Sequence, residues 1–406
     1  MVAENFLKEL KTSQIVELET CVRCGACSEV CPVYEQDKSI ISVPALKLQE
    51  LRKIIGKDVS ILGLISSASK VNLKELRKAS EAAYLCTLCG RCWIGCILGI
   101  RNRELREVLR SMIYKAGYIP EPLKNIDKTL MKYKNPYGSN GRLGWLKKLD
   151  FQIPVNVKGS NILYFVGCTS AIRDPSIAES TAHILRSVGE SWTIMDNEWC
   201  CGSAWIALGN MDAARNFAER NVKEIESLNV KKVVVSCAEC YRMFKWEYPE
   251  LNVDYGFEVL HISELINKYL NEGKLKTGKR VIERITYHDP CSLSRLGGIV
   301  NEPRNVLRQI IPREAEFHYL VEMPENRMNT YCCGGGAFLE FIHPELTLKI
   351  AEHRLNQASK AGAEILVSAC PICKIVFTDA ANKLNKNIKV YDITELVAKS
   401  IASSQN

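Results

Sequence analysis

Val233-Val-Val-Ser-Cys-Ala-Glu-Cys240 is a short β-branched run that ends on a Cys-x-x-Cys pair. The chain repeats it at Ile365-Leu-Val-Ser-Ala-Cys-Pro-Ile-Cys373, with one residue inserted. Short apolar runs of this kind are the signature of strands buried on both faces, as in parallel sheets. Outward from them the repetition continues. Ile162-Leu-Tyr-Phe-Val-Gly-Cys168 matches Ile285-Thr-Tyr-His-Asp-Pro-Cys291, and Cys200-Cys201-Gly202 matches Cys332-Cys333-Gly334. Phe257-Glu-Val-Leu-His-Ile-Ser-Glu-Leu-Ile266 matches Ile388-Lys-Val-Tyr-Asp-Ile-Thr-Glu-Leu-Val397. Four elements keep their order, so the second half of the chain reads as a duplicated α/β unit with a longer loop in its second copy. The strand runs alternate with helical patterns, which predicts parallel sheets.

Each copy carries five cysteines: a lone one, an adjacent pair and a Cys-x-x-Cys. They are Cys168, Cys200, Cys201, Cys237 and Cys240 in the first copy, and Cys291, Cys332, Cys333, Cys370 and Cys373 in the second. Five ligands exceed what one tetrahedral zinc or one ordinary cubane needs. An adjacent pair suits neighbouring irons better than a single ion. Several of these cysteines follow predicted strand ends, where α/β folds place their chemistry. Glycines after the pairs are read as letting backbone pass close to a cluster.

A second cysteine group lies earlier. Cys21-x-x-Cys24-x-x-Cys27-x-x-x-Cys31-Pro32 is the ferredoxin run, whose fourth cysteine serves the other cluster of a two-cluster domain. Cys86-x-x-Cys89-x-x-Cys92-x-x-x-Cys96 supplies the partner run, with Ile97 in place of proline. The crossed assignment gives one cubane [4Fe–4S] cluster to Cys21, Cys24, Cys27 and Cys96, and another to Cys86, Cys89, Cys92 and Cys31. A pair of zinc sites is the competing reading, because Cys-x-x-Cys pairs also bind zinc. Leu46, Leu48, Leu51, Ile54, Ile55, Leu73, Leu76 and Ala79 recur at near-helical spacing, so this part is expected to be helical. A helical pattern from Arg103 to Ile113 and a Pro/Gly/Asn-rich stretch follow. The expected domains are 1–155, 156–275 and 276–406.

Eighteen cysteines in 406 residues, clustered as these are, point to metal or redox chemistry in a reducing compartment. The net charge of +8 is mild and dispersed, read as a solvated surface, and no basic motif points to nucleic acid. The opening Met1–Leu7 stretch is unlike a signal peptide, and the longest apolar run, Ile61–Ile65, is too short to span a bilayer. A cytoplasmic protein is expected, held peripherally at the membrane only through a partner. Arg173 and Arg295, close after Cys168 and Cys291, are candidates for holding an anionic substrate, with a structural role as the alternative. His288 and Asp289, three and two residues before Cys291, are candidate proton donors, again with a structural alternative. Glu239 and Lys374 adjoin cluster ligands and are candidates for tuning potential. The remaining histidines form no metal-ligand spacing.

The five-cysteine repeat resembles the CCG domain, and the chain is similar over nearly its whole length to the D-type subunit of heterodisulfide reductase. The resemblance implies that each five-cysteine set holds an unusual non-cubane [4Fe–4S] cluster. It also implies that a disulfide, such as coenzyme M joined to coenzyme B, is reduced between the two clusters to two thiols. Electrons would come from a membrane cytochrome b subunit or a flavoprotein subunit. Related iron–sulfur subunits of glycolate and lactate oxidases often lack members of the Cys-x-x-Cys pairs, and both pairs are intact here. A relay for a flavin-dependent 2-hydroxyacid or glycerol-3-phosphate dehydrogenase is the alternative function.

Overall fold

A computed structural model describes residues 10–59, 73–312, 314 and 316–401. Met1–Leu7 and Ile61–Ile65 lie outside these. The chain divides into two compact units.

The helical unit takes the described residues of Met1–Lys128 together with Ala204–Asp212 and Gly334–Ile350. Helices Pro44–Val59, Leu73–Tyr84 and Asn102–Lys115 pack on one another. The apolar spacing seen in the sequence becomes their shared core: Leu48, Leu51, Ile54 and Ile55 from the first, Leu76, Ala79 and Ala83 from the second, Leu105, Leu109, Met112 and Ile113 from the third. The two ferredoxin-type runs fold alike. Each has a left-handed residue two positions after its first cysteine (Arg23, Leu88), then a left-handed glycine (Gly25, Gly90) that caps a one-turn helix, Ala26–Glu29 or Arg91–Ile94.

The α/β unit holds the described residues of Thr129–Ser203, Ala213–Cys333 and Ala351–Asn406. Its first sheet comprises β1 (Ile162–Phe165), β2 (Trp192–Thr193), β3 (Lys232–Val235) and β4 (Glu258–His261), in the order β2-β1-β3-β4 and all parallel. Its second comprises β5 (Ile285–His288), β6 (Leu320–Val321), β7 (Ile365–Ser368) and β8 (Lys389–Asp392), in the order β6-β5-β7-β8 and again all parallel. The registers correspond: Phe165 opposes Val235 and Val235 opposes His261, as His288 opposes Ser368 and Ser368 opposes Asp392. The duplicated parallel α/β architecture expected from the sequence is present. In each sheet the chain leaves the central pair in opposite directions, so the switch point lies between β1 and β3, and between β5 and β7. Ligands of open α/β sheets bind at such points, beyond the carboxyl ends of the strands. The repeats pack reciprocally: Pro175–Val188 lies on Ile393–Ser400, and Ile262–Asn271 lies on Glu302–Ile310.

Candidate metal centres

The helical unit brings its eight cysteines into two cavities. One is lined by Cys21, Cys24, Cys27 and Cys96, the other by Cys31, Cys86, Cys89 and Cys92. These are the two crossed sets. Asn102, the first residue of its helix, lines both. The surroundings differ. Cys24 is exposed, and among the described residues the only charged one lining the first cavity is the exposed Arg23. Lys47, Arg103 and Arg106 line the second. Lys47 and Arg106 are each 2% exposed. The Lys47 ammonium donates to the Leu85 carbonyl, and the Arg106 guanidinium reaches the Pro44 carbonyl at 3.4 Å. Nε and Nη1 of Arg106 meet no nitrogen or oxygen partner among the described residues, and the side chain that it meets is the Cys86 thiol. Burial pushes both cations towards their neutral forms, and the nearby Cys86, Cys31 and Cys92 thiols oppose it. Burial also pushes the Cys31 thiol up to about 11. The Cys92 thiol is likewise pushed up by burial, so Cys31 and Cys92 face the buried Lys47 and Arg106 in their neutral forms. That environment suits an anionic centre bound through thiolates, since metal binding removes the thiol protons.

Behind this cavity sits Arg110, fully buried. Its guanidinium donates to the carbonyls of Ala83 (3.1 Å), Cys86 (2.8 Å) and Ala207 (2.7 Å), and more distantly to Ala337 (3.4 Å). It stacks over the Tyr84 ring, whose hydroxyl donates to the Leu208 carbonyl. One side chain therefore fastens the Cys86 loop to the two segments that follow the Cys-Cys-Gly motifs in the chain.

In the α/β unit the lone cysteines Cys168 and Cys291 lie three residues beyond β1 and β5, and the Cys-x-x-Cys pairs begin two residues beyond β3 and β7. All four positions flank the switch points. Cys237 and Cys370 each cap the helix that carries the second cysteine of the pair. Eight of the ten thiols form a continuous chain of close contacts: Cys168 with Cys200, Cys200 with Cys201, Cys201 with Cys240, Cys240 with Cys237, Cys237 with Cys370, Cys370 with Cys373, and Cys373 with Cys333. Neighbouring thiols donating to Cys201 and to Cys370 hold both well below the usual thiol range. Cys291 is part exposed, whereas Cys168 is buried. All eighteen thiols are free of disulfides. The glycines after the pairs serve packing: Gly202 and Gly334 are left-handed (φ 98° and 95°), and a side chain there would meet the Ala214 and Thr347 carbonyls.

Buried ion pairs hold the loops that carry the lone cysteines. Glu198 accepts from the backbone N–H groups of Val166 (2.8 Å) and Gly167 (2.9 Å) and from Arg142 (2.6 Å), fixing the turn into Cys168. In the second repeat Asp289 takes a bidentate pair from Arg304 (2.6 and 2.8 Å) and the N–H of Arg327 (2.8 Å). Asp289 thus has a structural partner set. His288 is buried, and one ring nitrogen, Cys333 Sγ and Cys373 Sγ lie within 4.8 Å of one another. Burial, reinforced by Arg354 and Arg295, holds its imidazole neutral. Arg295 donates to the carbonyls of Met328 (2.8 Å) and Thr330 (2.5 Å), so its geometry is that of a loop clamp before Cys332. Arg173 is exposed, 5.5 Å from the Tyr137 ring. Lys374 pairs with Asp174 (2.8 Å) and Glu395 (2.9 Å) and donates to Ser176 (2.9 Å), joining the two repeats. Burial pushes the Glu239 carboxyl up to about 7.

Residues 162–245 and 285–378 match the cysteine-rich domain family CCG, and residues 17–100 match the 4Fe-4S dicluster domain. The chain is 34% identical over 409 residues to the D-type subunit of the dihydromethanophenazine:CoB–CoM heterodisulfide reductase of Methanosarcina barkeri, covering 98% of this chain and 97% of that protein. It belongs to the family of heterodisulfide reductase D-type subunits. As a member of that family it is an iron–sulfur oxidoreductase subunit carrying 4Fe–4S clusters, which sets the zinc reading aside. The family's reach is wide: the EtfAB:quinone oxidoreductase of Syntrophomonas wolfei is 26% identical over 97% of this chain and 60% of its own length. A Helicobacter pylori protein of known structure shares the fold, with a TM-score of 0.54 at 11% identity, over 99% of this chain and 76% of its own. Among the described residues no helix is long and apolar enough to cross a membrane.

Proposed function

We propose that this subunit reduces a small-molecule disulfide to two thiols at two non-cubane [4Fe–4S] clusters, one held by Cys168, Cys200, Cys201, Cys237 and Cys240, the other by Cys291, Cys332, Cys333, Cys370 and Cys373. Two cubane clusters, on Cys21, Cys24, Cys27 and Cys96 and on Cys31, Cys86, Cys89 and Cys92, deliver the electrons. The observation that carries this reading is the contact of Cys237 with Cys370, which joins the two five-cysteine sets at one place. A disulfide has two sulfurs and takes two electrons and two protons to become two thiols, and two adjoining one-electron centres match that stoichiometry. Similarity to a CoB–CoM heterodisulfide reductase subunit over nearly the full length favours a heterodisulfide of that kind. The buried, neutral His288 beside Cys333 and Cys373 is suited to bind or orient one sulfur. The electron donor is a membrane cytochrome b or a flavoprotein subunit, with this chain peripheral at the inner membrane face.

Electron paramagnetic resonance on anaerobically purified, oxidised protein, with and without a thiol such as coenzyme M, tests this. A signal that appears only with thiol supports disulfide chemistry. Signals indifferent to every thiol tried would favour the second reading, a relay between a flavin-dependent dehydrogenase and a quinone, for which the similarity to the EtfAB:quinone oxidoreductase speaks.

A further inference from the structure

The two cavities of the helical unit share Asn102 as a wall, yet they differ in how much buried positive charge lines them. Around Cys31, Cys86, Cys89 and Cys92 stand two cations that are almost wholly buried, and no carboxylate among the described residues lines the cavity; the exposed Asp37 acts on Lys47 from outside it. Lys47 is bound to a carbonyl. Arg106 reaches a carbonyl at 3.4 Å and meets the Cys86 thiol, with no carboxylate partner among the described residues. Desolvated cations are costly unless something anionic compensates them. Around Cys21, Cys24, Cys27 and Cys96 no buried cation among the described residues lines the wall, and Cys24 is open to solvent. The thiolate sets are the same in number and type, so the asymmetry lies in what surrounds them.

We propose that Arg106 and Lys47 set the direction of electron flow by giving the inner cubane site the higher reduction potential of the two. This rests on the cluster reading above. Adding an electron to an anionic centre adds negative charge, and a fixed positive charge in a low-dielectric wall stabilises the reduced form most. Burial and neighbouring charge are established determinants of cluster potential. The exposed Cys21–Cys96 site is then the entry. One electron from the donor subunit, a one-electron carrier, is accepted there. It is passed across the Asn102 wall to the inner site, oxidising the first by one electron and reducing the second by one, with no proton moved and no bond made. Arg106 and Lys47 are positioning residues here, acting through the field and touching no substrate.

The test is an anaerobic redox titration followed by electron paramagnetic resonance on the full-length protein with its clusters. The outer site is recognised by its broadening with a water-soluble paramagnetic relaxer. Two separated cubane waves are expected, the outer one lower. Arg106→Gln should lower the reduced-to-oxidised ratio of the inner wave at least tenfold at fixed potential, a shift of about 59 mV for a one-electron couple, with the outer wave held. Lys47→Met should act in the same direction. Arg106→Lys, which keeps the charge, should stay near the parent, separating charge from fold. An inner wave unmoved by both neutral variants, or an outer wave that moves as far, overturns the proposal. Iron analysis is read alongside: iron missing from both cavities overturns the cluster reading and this inference with it.

Discussion

The thiols of Cys237 and Cys370 touch, although they belong to different α/β repeats. Centres built on them share one site. Cys201→Ser and Cys333→Ser should each remove the iron of one cluster from the α/β unit and abolish two-electron turnover, while the spectra of the helical unit persist. The cluster left behind should give a sharper resonance than in the parent, because its magnetic neighbour is gone. Iron analysis and electron paramagnetic resonance check this, and unchanged turnover in either variant would sink the two-centre mechanism.

Lys374 ties the repeats together through Asp174 and Glu395, and all three side chains are largely buried. Removing one partner of such a cluster leaves uncompensated charge behind. Lys374→Met should destabilise the folded chain by about 3 kcal/mol. Chemical denaturation, read from the midpoint shift, measures it; a loss below about 1 kcal/mol, the size of a surface pair, would show that the cluster is solvent-screened.

Asp392 ends β8 and caps Ile393–Ser400. Its Oδ1 accepts from the Thr394 amide (2.9 Å) and hydroxyl (2.7 Å), while its Oδ2 has no partner among the described residues. Burial pushes this carboxyl from 3.8 up to about 8. The protonated form is the one that fits the fold. Its contribution to stability is complete below the unfolded value and is lost as pH rises towards 8, by about 1.4 kcal/mol per pH unit in between. Asp392→Asn keeps the cap and removes the titration. The variant should match the parent near pH 4 and exceed it in stability by pH 7. Denaturation midpoints across that range decide; parallel profiles for the two proteins would refute it.

Arg304 is fully buried, bidentate to Asp289, paired with Glu322 and placed over the Tyr287 ring at 5.2 Å. Lysine keeps the charge but loses the planar fork. Arg304→Lys should cost about 2 kcal/mol and loosen the loop between Asp289 and Cys291. Hydrogen exchange of the Arg327 amide, which donates to Asp289, should quicken in the variant and stay slow elsewhere.

Much of this was legible in the sequence. The strand runs at Ile162, Lys232, Ile285 and Ile365 are strands, and each four-cysteine set lines one cavity. The two-residue strands Trp192–Thr193 and Leu320–Val321 were not legible, being too short for any periodicity and existing only through pairing with β1 and β5. The charged residues were misleading. Dispersed Lys and Arg read as a solvated surface, yet Lys47, Arg106, Arg110 and Arg304 are buried and shape the centres. Composition cannot reveal this, because what buries an arginine is the set of carbonyls and carboxylates the fold gathers around it. Nor does any local signal in Ala204–Asp212 or Gly334–Ile350 announce that these segments belong to the helical unit rather than to the repeats that flank them in the chain.

Cys237 and Cys370 occupy equivalent places in the two repeats. A residue that touches its own counterpart lies on a two-fold axis, and the reciprocal packing of Pro175–Val188 on Ile393–Ser400 and Ile262–Asn271 on Glu302–Ile310 has the same symmetry. The α/β unit is therefore an isologous dimer written into one polypeptide. Fusion frees the halves from identity: His261 stands where Asp392 does, and buried Cys168 where part-exposed Cys291 does. A true homodimer would present the same half-site twice and could not tell one end of its ligand from the other. This chain can.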